Sequence, residues 1–369
     1  MDTIIISPEL PPNDVVLLRN LAEDIKEYQQ SRTDPSSKDG VTISNQEAVN
    51  GAHEHSTPSS RDEHDLARMR ALNDPAHQDF EPTIFSSVDY RDLSSRLHPV
   101  IYQHILQPYI KWAQSIARHP TYVPTHLLII ELNHVEGNGP DDLSSTIRYQ
   151  RDNVWHFLHY VGRFYFLIWL DLPLYFLRKD RPTFALKAAF WELLSYTMFL
   201  TLFKLNSRPT FFVFLLPFML LRFGLMVGNW GQHALVDADE PDSDYRSSIT
   251  LIDVPSNRYC YNDGYHTSHH LNPLRHWREH PVHFLANKQT YSSEHALVFH
   301  NIDYLEITIR LLLHHYDHLA RCLVPIGEQQ IAMTMEQRAG LLKRCTRRFT
   351  EEEIKEKFGA PAKSASKTK

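Results

Sequence analysis

"FALKAAFWELLSYTMFLTLFKLNSRPTFFVFLLPFMLLRFGLMVGNW", residues 184–230, holds two apolar runs, 184–203 and 210–230, separated by the polar turn "KLNSRP". Each run has the length of roughly 20 residues that a helix needs to cross a bilayer. Each also carries one charge deep inside, Glu192 and Arg222. In a hairpin turning near Asn206 these two stand at similar distances from the turn. They are expected to pair at matching depth, because an intramembrane charge is costly unless partnered. The plainer alternative is a buried helical hairpin in a soluble protein. Arg178, Lys179, Arg181 and Lys187 stand on one side, against Lys204 and Arg208 at the turn. This balance puts both open ends in the cytosol and the turn outside. The expected fold is therefore all-α, built on a membrane helical hairpin.

Upstream, "VWHFLHYVGRFYFLIWLDLPLYFL" (154–177) is aromatic-rich but carries His156, His159, Arg163 and Asp171, so its first half suits the membrane interface. Residues 97–117 read as an amphipathic helix broken near Pro108, and 13–30 as a shorter one built on Val15, Val16, Leu18, Leu21 and Ile25. Between Ser31 and Asp65 there is no aromatic residue, and the Ser, Asn, Asp, Glu and Gly content reads as a disordered linker. Residues 1–96 carry 18 acidic against 9 basic residues, a net of -9; the whole chain stands at -6, so the remainder is +3. Three segments follow: an acidic, partly disordered N-terminal segment (1–96), a membrane domain (97–330) and a charged C-terminal tail (331–369). With no basic stripe, nucleic acid is excluded as a partner. Cys260, Cys322 and Cys345 form no Cys-x-x-Cys pair, so neither a disulfide framework nor a thiolate zinc site is encoded. The first residues show no basic region followed by a long apolar run, so no signal peptide is expected.

Beyond the hairpin, "DGYHTSHHLNPLRHWREHPVHF" (263–284) holds six of the chain's 23 histidines. His266, His269 and His270 follow H-x-x-H-H, and on a helix these positions share one face, so three imidazoles can point to one place. The second apolar run leads into "GNWGQHALVD", where Asn229 and His233 share a face at i, i+4. His134 and Glu136, in "LNHVEGNGPDDLSSTIRYQRDN", precede the hairpin on the same cytosolic side. Neutral imidazoles without thiolates suit iron, zinc or copper.

Together, the H-x-x-H-H motif, the N-x-x-x-H helix end before it and the preceding hairpin resemble the membrane-bound fatty acid desaturase and hydroxylase superfamily. The likeness is strongest over "HVEGNGPDDLSSTIRYQRD" and over the stretch from "GNWGQHALVD" to "HWREHP". It implies a cytosolic helical cap carrying histidine boxes, and a reaction that inserts a double bond or hydroxyl into an acyl lipid. It also implies two irons, dioxygen and two external electrons. His233, His266, His269 and His270 would be iron ligands, Asn229 a weak or water-mediated ligand, and His134 the surviving member of an earlier box. A separate cytochrome-type electron donor is expected, since no His-Pro-Gly-Gly haem motif is present. The implied location is the membrane of the endoplasmic reticulum, multi-pass with cytosolic termini.

The chain departs from the family pattern before His134. There the H-x-x-H-H positions hold Ile130, Glu131, Leu132, Asn133 and His134, and no apolar hairpin fits ahead of them. The first hairpin and most of the first two boxes are missing, so the iron set is incomplete on this count. His98, His104, His119, His126, His156 and His159 fit no box, and His276, His280 and His283 read as supporting groups or an interfacial face. His314, His315 and His318 read as a polar helix face. Three functions remain open: an active desaturase-like oxidoreductase, an impaired relative that binds metal or lipid without turnover, and a membrane-anchored metal-binding or adaptor protein whose acidic segment is an interaction arm.

Overall fold

The computed structural model describes residues 10–33, 59–80, 137–252 and 260–358, with isolated positions between them. In chain order its elements are α1 (Pro12–Thr33), α2 (Ser60–Leu72), α3 (Val154–Arg178), α4 (Pro182–Leu205), α5 (Leu216–Gln232), β1 (Ile249–Ile252), α6 (His266–Leu271), α7 (His280–Ala286), α8 (Lys288–Ser293), β2 (Leu297–His300), α9 (Tyr304–Leu312), α10 (Tyr316–Cys322), α11 (Gly327–Ile331), α12 (Met335–Cys345) and α13 (Glu351–Phe358). The all-α expectation holds, apart from one two-stranded sheet. The expected helix over 13–30 is α1. Much of the expected linker and the helix over 97–117 lie outside the described residues, although α2 is already helical from Ser60.

One compact unit comprises Phe85–Ser248, Asp303–Leu319 and Ala339–Lys369. Asn153 opens α3 by accepting the N–H groups of Trp155 and His156, and the helix runs unbroken through Pro173 to Arg178. Asp180 turns the chain at φ 55°, and Pro182 starts α4, where its missing N–H costs nothing. α4 ends at Asn206, where the sequence places the turn. Residues 210–215 form a π-helical turn ahead of α5; Pro217 just beyond it has no N–H to donate, which widens the backbone ladder there.

The expected ion pair is formed. Arg222 Nη2 donates to both carboxylate oxygens of Glu192 at 3.2 Å, and Nη1 donates to the Tyr196 hydroxyl at 3.3 Å. The guanidinium lies 4.3 Å over the Phe218 ring. Ser207–Gln232 is, among the described residues, the one helical stretch long and apolar enough to cross a membrane; α4 falls short of the same measure. All three long helices nevertheless turn apolar side chains outward. Phe166, Leu200, Phe212, Leu220 and Leu221 are each more than half exposed, a surface that suits acyl chains rather than water.

At the other end of this unit Ile147, Val236, Phe349 and Ile354 form a core, so the C-terminal stretch through α13 is folded in. Arg151, fully buried, ties three segments by donating to the carbonyls of Ala234 (3.0 Å), Thr146 (3.2 Å) and Cys345 (2.9 Å). α5 and α9 cross closely at Gly231, where a Cβ would stand 2.6 Å from the Tyr304 carbonyl oxygen.

The second unit comprises Met1–Ile84, Ile249–Ile302 and Ala320–Arg338. β1 and β2 pair in parallel, Ile249 opposite Leu297 through Ile252 opposite His300, and every residue of both is buried. A parallel pair requires a crossover, and α6, α7 and α8 supply it. α1 and α2 pack on each other and against α7. Gly264 enters the crossover so close to the Leu251 carbonyl that a Cβ would stand 2.6 Å from it, which leaves room for glycine alone.

Candidate metal centre

α6 is only six residues long, and its neighbours define it. Asn257, fully buried, donates to the Leu251 carbonyl at 3.0 Å and accepts the Gly264 N–H at 2.9 Å, which fixes the chain two residues before the motif. The helix stops at Asn272, followed by Pro273, which disfavours helical backbone before it. His266 and His270 are buried one turn apart, with their Nε2 atoms 3.0 Å from each other. Two imidazoles ligating one metal at right angles, with bonds of about 2.1 Å, would hold their nitrogens about 3 Å apart. The spacing therefore fits a chelating pair.

His269 stands further from the His266 and His270 rings than they stand from each other, since their own centroids are 4.5 Å apart. Its ring centroid lies 6.2 Å from that of His266 and 6.4 Å from that of His270, but 5.9 Å from His280. Burial lowers its pKa, which keeps the ring neutral and able to ligate. Below it Ser268, fully buried, places its hydroxyl 2.9 Å from His280 Nδ1 and 3.3 Å from His283 Nδ1, while Arg275 Nη1 donates to that hydroxyl at 2.7 Å. Burial, then the nearby His269, Arg275, His283 and His276, pulls His280 down to about 3. Burial, then Arg275, pulls His283 down to about 4. Both stay neutral at pH 7.

In the other unit, His233 caps α5 and is fully buried. Its Nδ1 donates to the Ser247 carbonyl at 2.8 Å, which leaves the lone pair on Nε2, the tautomer that a backbone carbonyl fixes in metal-binding histidines. Burial brings its pKa down to about 4, against the opposing effect of that hydrogen bond. Thr146 Oγ1 donates to the His233 carbonyl at 2.6 Å, holding the backbone as well. The Asn229 amide nitrogen donates to the Ser144 carbonyl at 2.9 Å and the Tyr160 hydroxyl at 2.6 Å, so its NH2 end is committed to the protein.

Each unit thus holds buried histidines fit to ligate, the pair His266 and His270 in one and His233 in the other. His134 lies outside the described residues, as do His98, His119 and His126. His156 Nδ1 accepts the Gln150 N–H at 2.7 Å, and His159 lies 3.3 Å from the Tyr149 hydroxyl, so both have structural partners. His314 lies 3.4 Å from Asp152 and His318 3.3 Å from Glu306, in keeping with a polar face. Ser247, Thr146, Ser268 and Tyr265 support the histidines and were not legible in the sequence. A backbone carbonyl or a lone hydroxyl leaves no spacing signal.

A family model for fatty acid desaturases matches residues 84–301, more than half of the chain. No curated protein and no solved structure matches the chain significantly.

Proposed function

The chain belongs to the fatty acid desaturase family, and from that premise we propose that it is a membrane-bound oxidoreductase that desaturates or hydroxylates an acyl lipid at a histidine-held iron centre. The family is membrane-associated, generally di-iron and directed at lipids. The observation that carries the reading here is the buried pair His266 and His270, whose Nε2 atoms converge to 3.0 Å.

His233, His266, His269 and His270 are the proposed iron ligands, with Asn229 as a weak or water-mediated one and His134 as a further candidate. When bound, iron supplies the oxidising chemistry that removes hydrogen from an unactivated methylene, with dioxygen and two electrons from a separate cytochrome-type donor. The protein contributes donors that are neutral before metal arrives and rings held by fixed partners. His233 is locked through Ser247, and α6 is held at both ends. The outward apolar faces of α3, α4 and α5 seat the chain among acyl chains, where a lipid tail is the natural ligand. The proposed location is the endoplasmic reticulum membrane, with both open ends of the hairpin cytosolic.

A second reading, an impaired relative that binds metal or lipid without turnover, is favoured by one observation. Before His134 the box positions hold Ile130, Glu131, Leu132 and Asn133, so donors for a second iron are short there. Iron per chain in the detergent-purified protein, together with product analysis of supplied acyl lipids in the presence of an electron donor, separates the two. Two irons and a new double bond or hydroxyl support turnover; one iron or none, with unaltered lipid, supports the impaired relative.

A further inference from the structure

α1 lies outside the stretch matched by the family model, yet it reaches the histidine helix directly. Asp14, in its first turn, is fully buried, and the equally buried Tyr265 donates its hydroxyl to Asp14 Oδ1 at 2.5 Å. Tyr265 immediately precedes His266, and its carbonyl accepts the His269 N–H at 3.1 Å, the bond that opens α6. The N-terminal pair of helices is fastened to the same crossover at two more points. Asn73 donates to the Arg278 carbonyl at 2.7 Å, and Lys288 Nζ lies 2.7 Å from Asp24 and 2.9 Å from Asp62.

Six residues of helix do not keep a direction alone, because nucleation is costly and so short a helix is marginal without packing. A ligand, however, must be held to roughly 0.5 Å to favour one metal geometry. Burying a phenol against a carboxylate carries a desolvation cost that an apolar pair would avoid. What the polar pair adds is direction, since one hydrogen bond fixes the Tyr265 ring and with it the start of α6.

We propose that Asp14 is a positioning residue for the metal centre, acting through Tyr265 on His266, so that α1 is part of the centre's support rather than an acidic interaction arm. This rests on the reading of His266 as a metal ligand. The test uses the full-length chain in detergent, loaded with cobalt(II), and reads cobalt affinity and the visible ligand-field spectrum. Tyr265→Phe and Asp14→Ala are expected to weaken cobalt binding by about tenfold and to shift the spectrum, while Asp14→Asn keeps an acceptor oxygen and restores both. Met69→Ala, which opens a cavity in α2 at a fully buried position, serves as a packing control and is expected to lower thermal stability with the spectrum unchanged. Unaltered cobalt binding in Tyr265→Phe and Asp14→Ala, alongside its loss in His266→Ala, overturns the positioning role. Unaltered binding in His266→Ala overturns the ligand reading instead. A spectral shift in Met69→Ala as large as that in Tyr265→Phe also overturns the positioning role, because general loosening would then be enough.

Discussion

His270 and His266 share one turn of α6, and the 3.0 Å between their Nε2 atoms leaves either ring poorly placed for the metal once the other is gone. His270→Ala is expected to lower iron in the purified protein by at least half, and elemental analysis checks it; full retention would remove the residue from the centre. His283 carries a different prediction. Its pKa is about 4 in the fold against 6.5 for the free side chain. Between those values the unfolded chain binds the extra proton, so the stability present above pH 6.5 is lost as pH falls towards 4. His283→Asn should therefore flatten the acid limb of stability against pH by about one proton. Chemical unfolding of the metal-free chain at several pH values measures the slope, and parallel slopes would refute the assignment.

Among the elements, the α4–α5 hairpin stands on the pair Glu192–Arg222, and α5 also on its close crossing with α9 at Gly231. Removing one partner of a buried ion pair strands the other charge, at a cost of about 3–5 kcal/mol. Arg222→Ala alone should thus destabilise the protein, with much of the loss recovered when Glu192→Ala is added. A double-mutant cycle in detergent unfolding without coupling would mean that the pair contributes nothing. Gly231→Ala should cost about 1–3 kcal/mol, because the new Cβ meets a backbone carbonyl that cannot swing aside. A thermal midpoint equal to that of the parent would show that α9 yields instead. The hairpin, its turn and its ion pair were legible in the sequence, because apolar run length and the position of a charge along it are local signals. The Asp14–Tyr265 contact joins residues 251 positions apart, and no local signal encodes it. The histidine motif was legible as a helix face, yet only the His266 and His270 rings meet, at 3.0 Å between Nε2 atoms, while the His269 centroid stands 6.2 and 6.4 Å from theirs. Shared facing brings side chains to one side of a helix without making their rings converge.

Over the chain as a whole, one stretch, Ser207–Gln232, is long and apolar enough to cross a membrane among the described residues, and α3, α4 and α5 turn apolar faces outward. Length and composition alone do not distinguish a helix that crosses a bilayer from one that lies along its surface, since both bury apolar side chains in acyl chains. The two arrangements differ in what happens to the polar ends. A crossing helix separates Ser207, in the turn, from the acidic loop around Asp239, whereas a surface helix leaves both in the same aqueous space. The distribution of Lys and Arg predicts the first, with Asp239 cytosolic and Ser207 on the far side. Single cysteines answer this once the exposed Cys260 and the buried Cys322 and Cys345 are replaced by alanine. In sealed microsomes with their cytosolic face outward, an impermeant maleimide should label Asp239→Cys at once and Ser207→Cys only after the vesicles are opened. Labelling of both positions before opening would place α5 along the surface and leave the chain without a described span. An inverted order would keep the span and reverse the predicted orientation.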